Sequence, residues 1–156
     1  MTDQQPTPDE LATLEFSRVF DAPRELVFRC MTEPEHLTHF WGPTGVSAPL
    51  ENIHVDLQPG GVFETVMVRD DDAREYATCA TYIEVSEPDR LVWREAHSGI
   101  TVTTTFIELD GDRTEVHIHQ TNVREAFRST AAQAGFLSSL DRFELYLDQL
   151  IGTRVR

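Results

Sequence analysis

The length and composition of the chain fit a single folded domain. Its 156 residues lie in the usual size range of one domain, and 40% of them are hydrophobic, which is enough to build a core. The formal net charge is −14, and all 13 cationic residues are arginine. The missing lysine excludes Schiff-base catalysis through lysine and a phosphate-binding lysine of the P-loop type. The acidic excess makes nucleic acids and anionic membrane surfaces unsuitable partners.

Signals for a membrane or an oxidising compartment are missing from the sequence. No apolar run approaches the ~18 residues that a membrane helix needs. Residues 1–11 are polar and acidic, unlike a signal peptide. Cys30 and Cys79 lack a CxxC spacing and are too few for a disulfide scaffold. We therefore expect a cytoplasmic protein that does not insert into membranes.

The predicted elements begin after a polar tail. Residues 1–12 are mostly polar, which predicts a flexible N-terminal tail, and residues 13–156 are predicted to form one domain. Apolar and polar residues alternate over residues 14–20, the period of a half-buried strand. Asp21-Ala22-Pro23 then marks the start of a short helix, and residues 32–35 fit a capping box for a second short helix.

Six further strands are predicted, separated by turns at proline and glycine. Hairpin turns are predicted at Pro59-Gly60-Gly61 and at Asp110-Gly111. Because most connections are short, we expect an antiparallel sheet of about seven strands in total. The six strands cover residues 53–57, 63–67, 78–85, 91–95, 102–106 and 116–118.

The last segment changes to a helical period. Its apolar residues repeat at spacings of four and three, which places them on one face of a long helix. Asn122, with Glu125 three residues later, is predicted to cap this helix. A break is expected near Gly135, and Gly152 is predicted to end the helix. The apolar stripe consists of Phe136, Leu140, Phe143, Leu147 and Leu150.

These elements predict an α+β domain in which a curved antiparallel sheet wraps around the long C-terminal helix. This helix has one apolar stripe and is the element available to cover the sheet. About seven strands around one helix leave space between the two layers unless large side chains fill it, and a ligand would bind there. The predicted ligand-binding residues are Trp41, Phe63, Thr65, Met67, Thr81, Trp93, Thr104, Phe106, Phe136, Leu140 and Phe143.

Candidate catalytic and metal-binding groups are sparse. His117 and His119 share one strand face, and His36 and His39 are spaced i, i+3 on the second short helix. Neither pair has the further ligands that a zinc site needs. The sequence contains no G-x-S-x-G nucleophile motif, and the aspartates at positions 70–72, 110 and 112 are predicted at loop tips, where they are solvated. We therefore predict no catalytic residue, no metal and no cofactor.

A series of short motifs follows along the chain. They are FDAPRELVF at 20–28, TEPEHL at 32–37, WGP at 41–43, VDLQPGG at 55–61, EPDRLVW at 87–93 and GFLSSLDRF at 135–143. In this order they resemble the family related to the activator of Hsp90 ATPase, which belongs to the START-like, helix-grip superfamily. The resemblance runs from about residue 14 to residue 151. Gln58 and Phe136 stand where that family commonly has arginine and tryptophan.

The resemblance implies a helix-grip fold and leaves several functions open. The superfamily includes binders of sterols, lipids and plant hormones, aromatase/cyclases and a co-chaperone. Our first hypothesis is a module without assigned catalysis that binds a small hydrophobic molecule between the sheet and the C-terminal helix. The alternatives are a polyketide cyclase or dehydratase-type enzyme and an Hsp90-type chaperone or other protein-interaction module. Assembly into a homodimer also stays open.

Overall fold

The structure is a computed structural model that describes residues 11–155. In this part of the chain, eight strands form one antiparallel sheet that is accompanied by three α-helices. The strands are β1 Leu11–Phe20, β2 Val46–Ser47, β3 His54–Val55, β4 Val62–Arg69, β5 Glu75–Ser86, β6 Arg90–Glu95, β7 Thr101–Leu109 and β8 Arg113–Arg124. The helices are α1 Arg24–Cys30, α2 Pro34–Leu37 and α3 Thr130–Val155, with 3-10 turns at Leu50–Asn52 and Glu125–Arg128.

The predicted α+β class is confirmed, with two short helices after the first strand and a long helix at the C-terminal end. The predicted tail, residues 1–12, lies outside the described residues except for Leu11 and Ala12, which belong to β1. No helix within residues 11–155 is long and apolar enough to cross a membrane.

The strands are ordered β1-β8-β7-β6-β5-β4-β2 in the sheet, and β3 also pairs with β4. All of these pairs are antiparallel. The strand beyond the predicted seven is β2, whose Val46 and Ser47 pair with Arg69 and Val68 of β4. Two residues are too few to show an alternating pattern, so the sequence could not indicate this strand.

The core lies between the inner face of the sheet and α3. Phe143 and Leu147 of α3 are buried, as the apolar stripe predicts. The ring of Phe143 packs against Phe20 of β1 and against Phe40, with centroids 4.8 and 4.3 Å apart. Because the large side chains of this stripe remove apolar area from water, α3 is held against the sheet mainly by the hydrophobic effect.

The N-terminal end of α3 differs from the prediction. Asn122 does not cap this helix, because it lies inside β8 with a φ of 61°. Pairing between Leu11 and Arg124 extends β8 beyond Asn122. The cap is Ser129, whose hydroxyl accepts a hydrogen bond from the N–H of Ala132 at 3.0 Å. The capping prediction is wrong because strand pairing with β1 overrides a local helix signal.

The helix α3 also continues through both of its glycines. It does not break at Gly135 and does not end at Gly152, since it is helical through Val155. A Cβ on Gly135 would lie 3.6 Å from the Cβ of Pro43. The small residue therefore marks a close approach between α3 and the loop after α2 rather than a break in the helix.

The capping box predicted at residues 32–35 does not form. The residue before α2 is Glu33, which makes no side-chain capping hydrogen bond. The Thr32 hydroxyl donates instead to the carbonyl oxygen of Phe28 at 3.0 Å. Thr32 thus satisfies a carbonyl at the end of α1 and does not cap the start of α2.

The two thiols should differ in reactivity. Cys30 is fully buried on α1, and burial raises its pKa to about 12, whereas Cys79 is partly exposed. Because the thiolate is the nucleophile, iodoacetamide at neutral pH should modify Cys79 well before Cys30 in the folded protein. Peptide mass spectrometry after a time course measures both rates. Equal rates in the folded protein, with both thiols labelled rapidly in urea, would contradict this assignment.

Candidate functional site

A cavity of about 530 Å³ lies between the inner face of the sheet, the first half of α3 and the loop after α2. Its volume is in the range of pockets that bind drug-sized molecules. Most of the wall is apolar or aromatic, and three strands of the sheet, β4, β5 and β6, form its floor. The lining residues are Trp41, Gly42, Pro43, Phe63, Met67, Thr78, Ala80, Trp93, Glu95, Phe127, Ala131, Ala132, Gly135, Phe136 and Ser139.

Aromatic rings form a continuous wall on the sheet side of this cavity. Phe63 of β4 is buried and lies between the two tryptophans of the chain. The ring of Trp41 meets Phe63 at a centroid distance of 5.2 Å and an angle of 65°, and Trp93 meets it at 5.5 Å and 81°. These edge-to-face contacts are favourable arrangements for aromatic pairs. The two indoles are therefore held in place by Phe63 without a ligand.

The loop after α2 is attached to α3 by side chains of that helix. One guanidinium nitrogen of Arg142 donates to the carbonyl oxygens of Gly42, Pro43 and Val46 at 2.8, 3.0 and 2.9 Å. The Ser139 hydroxyl donates to the carbonyl of Phe40 at 3.3 Å. Arginine suits this position because its guanidinium keeps its charge and presents several N–H groups in one plane. These hydrogen bonds position the wall that contains Trp41.

Gly42 is required where this loop passes the sheet. Its φ is +101°, a conformation that residues with a Cβ rarely adopt. A Cβ at this position would also lie 2.9 Å from the sulfur of Met67. The glycine of the Trp41-Gly42-Pro43 motif thus lets the loop turn while its backbone stays close to the cavity floor.

The predicted ligand-binding residues separate into three groups. The first lines the cavity, and the second is buried elsewhere in the core with no surface on the cavity. The third consists of Thr81, which is exposed. The first group is Trp41, Phe63, Met67, Trp93 and Phe136, and the second is Thr65, Thr104, Phe106, Leu140 and Phe143.

Thr81 lies on the outer face of the sheet, so its predicted place on the inner face is corrected. The prediction grouped it with Ile83, which is 53% exposed. Between Tyr82 and Glu84 the pairing of β5 with β6 shifts by one residue. Such a bulge reverses the face of the side chains that follow it, so Val85 packs against the core although Thr81, which precedes the bulge, points outward. The residues of this part of β5 that point inward are Ala80 and Tyr82, both buried.

The threonine hydroxyl at the cavity wall belongs to Thr78, which the sequence analysis did not include. Thr78 lies opposite Thr65 in the pairing of β5 with β4, and their hydroxyl oxygens are 2.6 Å apart. Thr65 is therefore satisfied by a neighbour and supports Thr78 from behind. A cross-strand pair of this kind depends on the register, which the sequence pattern does not give.

Glu95 is the charged residue of the cavity that sequence reasoning missed. It is opposite Ala80 in the pairing of β6 with β5, so it shares the inner face with Ala80. Its carboxylate accepts hydrogen bonds from the N–H of Ser98 at 2.7 Å and from the N–H of Cys79 at 3.5 Å. The alternation Leu91, Trp93, Glu95 could have indicated this position, since these residues share one face of a strand.

The pKa of Glu95 is lowered, and two opposing causes produce that result. Partial burial raises the pKa, but hydrogen bonds from Ser98, from the backbone of His97 and from the backbone of Cys79 lower it by more in total. The carboxylate is therefore charged at neutral pH and above, and it is protonated only well into the acid range.

The histidine pairs lie away from the cavity. Nδ1 of His36 is 2.5 Å from the hydroxyl of Tyr146 on α3, and the ring of His39 stacks on Tyr146 with centroids 4.8 Å apart. His117 faces Glu15 of β1 at 3.8 Å. Among the described residues, no group of three or more His, Cys, Asp or Glu side chains could hold a metal ion.

Solved structures share this architecture. A protein from Chromobacterium violaceum has a TM-score of 0.79 and 21% identity, with 86% of this chain and 96% of that chain covered. A protein from Nitrosomonas europaea has a TM-score of 0.76 and 26% identity, with 90% and 96% covered. An AHSA1-like protein from Aeromonas hydrophila has a TM-score of 0.75 and 21% identity, with 88% and 94% covered.

Sequence comparison gives the family. No curated protein sequence matches the chain significantly. The family model described as activator of Hsp90 ATPase homolog 1-like protein matches residues 21–148, which includes α1, the whole floor of the cavity and most of α3. Since this match covers most of the chain and agrees with the fold, the chain belongs to the activator of Hsp90 ATPase homolog 1-like family.

Proposed function

We propose that this chain binds a small, largely apolar molecule in the cavity between the sheet and α3. The observation that supports this most directly is the cavity itself, with about 530 Å³ of space beside Trp41, Phe63, Trp93 and Phe136. Large apolar side chains that border open space have area left to bury, so a ligand of matching shape gains the hydrophobic term.

The walls of the cavity favour binding without a large rearrangement. Trp41 and Trp93 are already packed against Phe63, and Arg142 already holds the loop that follows Trp41. A preformed site binds more tightly than one that must be ordered by its ligand, because less conformational entropy is lost on binding.

The cellular compartment of the protein is part of the same proposal. We place the chain in the cytoplasm because Cys30 and Cys79 are both free thiols, the state that a reducing compartment maintains. A small hydrophobic molecule is the proposed partner.

A substitution that fills the cavity tests the proposal. Ala132 on α3 lines the cavity, so Ala132→Phe places a phenyl ring in the space where the ligand would lie. N-phenyl-1-naphthylamine, a neutral fluorescent probe, should bind the unmodified protein and should bind this variant at least tenfold more weakly, which is about 1.4 kcal/mol. Probe fluorescence measures the affinity, and the two tryptophans in the cavity wall provide a second signal.

The matched control uses the same change two residues later. Ala134 is exposed on α3 and does not line the cavity, so Ala134→Phe should bind the probe as the unmodified protein does. Equal loss in both variants would place probe binding elsewhere on α3. The proposed function would be overturned if the unmodified protein bound none of the apolar probes saturably.

A further inference from the structure

We propose that the ligand of this cavity carries a positively charged nitrogen beside its apolar body, and that Glu95 recognises this charge. The inference rests on the proposed function and adds the chemical class of the ligand. It assigns Glu95 as the residue that selects a cationic ligand over a neutral or anionic one of the same shape.

The position of Glu95 is unusual for a carboxylate. Inward-facing positions of β6 are otherwise apolar, with Leu91 buried and Trp93 packed against Phe63. Glu95 follows in the same alternation and reaches the wall of the cavity. A charged group beside apolar surface loses part of its hydration, so its presence there calls for a compensating interaction.

The hydrogen bonds that Glu95 accepts stabilise the charged form of its carboxylate, but they do not neutralise that charge. The N–H groups of Ser98 and Cys79 donate to its two oxygens, and these donors carry no net charge. They favour the ionised carboxylate, which is why its pKa is lowered despite partial burial. The cavity therefore presents a fixed negative charge at neutral pH.

None of the ion pairs between described side chains includes this carboxylate. The ion pairs found there join other residues, such as Arg18 with Asp141 and Arg24 with Asp89. Among the described residues that line the cavity, Glu95 is the one charged side chain. An anionic ligand would meet repulsion at this wall, whereas an ammonium group would supply the missing charge.

The aromatic rings of the same cavity favour the same ligand class. Trp93 lies two residues before Glu95 on β6, and Trp41 and Phe63 complete the aromatic wall. The face of an aromatic ring attracts a cation, and indole does so most strongly. A carboxylate beside several aromatic rings is thus suited to a ligand that combines an amine with an apolar body.

Three probes with one bicyclic body test this selectivity. 2-Naphthylmethanol is neutral, 2-naphthylmethylammonium is cationic and 2-naphthoate is anionic, and titration calorimetry measures the three dissociation constants. We expect the cation to bind about fivefold more tightly than the alcohol, which is the upper end of the range for a partly solvated ion pair. The anion should bind more weakly than the alcohol, and added salt should reduce both differences.

Two variants test whether the preference for the cation depends on the charge of Glu95 rather than on its structural role. Glu95→Gln keeps an acceptor for the N–H of Ser98, so the turn after β6 should stay folded, while the preference for the cation should be lost and the affinity for the alcohol retained. Glu64→Gln is the control, because it removes an equal charge at a position that faces away from the cavity, beside Cys79. This control should keep the cation preference.

The outcomes distinguish the two proposals. Similar affinities for all three probes in the unmodified protein, or a cation preference that survives in Glu95→Gln, would overturn the role of Glu95 and leave the proposed function intact. Failure of every probe, including N-phenyl-1-naphthylamine, would overturn the proposed function itself.

Discussion

Replacing Leu140 by alanine should lower the free energy of unfolding by about 2–5 kcal/mol, the usual cost of truncating a buried leucine. Leu140 is 6% exposed and lies in the stripe of α3 that covers the sheet. The substitution removes contacts from the centre of the core and leaves a void, because α3 is held on both sides of this position by Phe136 and Phe143 and cannot collapse into it. Urea unfolding followed by circular dichroism measures the loss.

The neighbouring Asp141 provides the matched control. Its side chain is exposed and forms an ion pair with Arg18 of β1 at 2.6 Å. Exposed ion pairs contribute at most about 1 kcal/mol, so Asp141→Ala should cost much less than Leu140→Ala. Losses of the same size in the two variants would mean that α3 presents a different face to the sheet.

Replacing Gly61 by alanine should also destabilise the protein strongly, because it adds an atom where there is no space rather than leaving a void. A Cβ on Gly61 would lie 2.0 Å from the carbonyl oxygen of Asp56, which is far inside van der Waals contact. The clash involves backbone atoms. The backbone of Gly61 cannot easily move away, because its N–H donates to the carbonyl of Gln58 at 2.8 Å and its carbonyl accepts from the N–H of Tyr82 at 2.9 Å. We expect a loss of about 3 kcal/mol or more, at the upper end of overpacking effects, or failure to fold.

Gly152→Ala is the control for this change, because among the described residues a Cβ there meets no atom outside its own stretch of helix within 4 Å. In a helix the same substitution should stabilise the protein by about 0.5–1 kcal/mol. Thermal unfolding of both variants compares the two effects. A Gly61→Ala variant as stable as the unmodified protein would show that the turn at Pro59-Gly60-Gly61 differs from the one described.

The turn at residues 59–61 was predictable from the sequence only in part. Its position between two strands follows from proline and glycine alone, because both residues strongly favour tight turns. The need for glycine at position 61 does not follow from the local sequence, since it arises from contact with Asp56 on the other side of the turn. The local conformation was predictable, but the contact was not.

The same division applies to the cavity. Trp41, Phe63 and Trp93 were predicted in its wall because they are large, apolar and placed on strands or at a stiff turn. Thr81 was predicted there wrongly, because it was placed on the inner face together with Ile83, whereas both side chains point outward. Which face of β5 points inward depends on how this strand pairs with β4 and β6, and β5 alone has no signal for the bulge between Tyr82 and Glu84.

The fold class of the protein follows from local patterns in its sequence. Alternation along β1 and β4, turn residues between strands and one apolar stripe on α3 are local patterns, and each one follows from the geometry of a single element. They were enough to predict an antiparallel sheet covered by one helix. The order of the family motifs along the chain agreed with this architecture.

Pairing between strands that are distant in the chain determines which threonine of β5 reaches the cavity and where α3 begins. Thr78 faces the cavity because of the register of β5 with its neighbours, and Asn122 stays in β8 because β1 pairs beyond it. Register depends on hydrogen bonds between residues far apart in the chain, and a shift of one residue moves every side chain to the opposite face. A local pattern therefore predicts an element, whereas the chemistry of the site depends on how the elements pair.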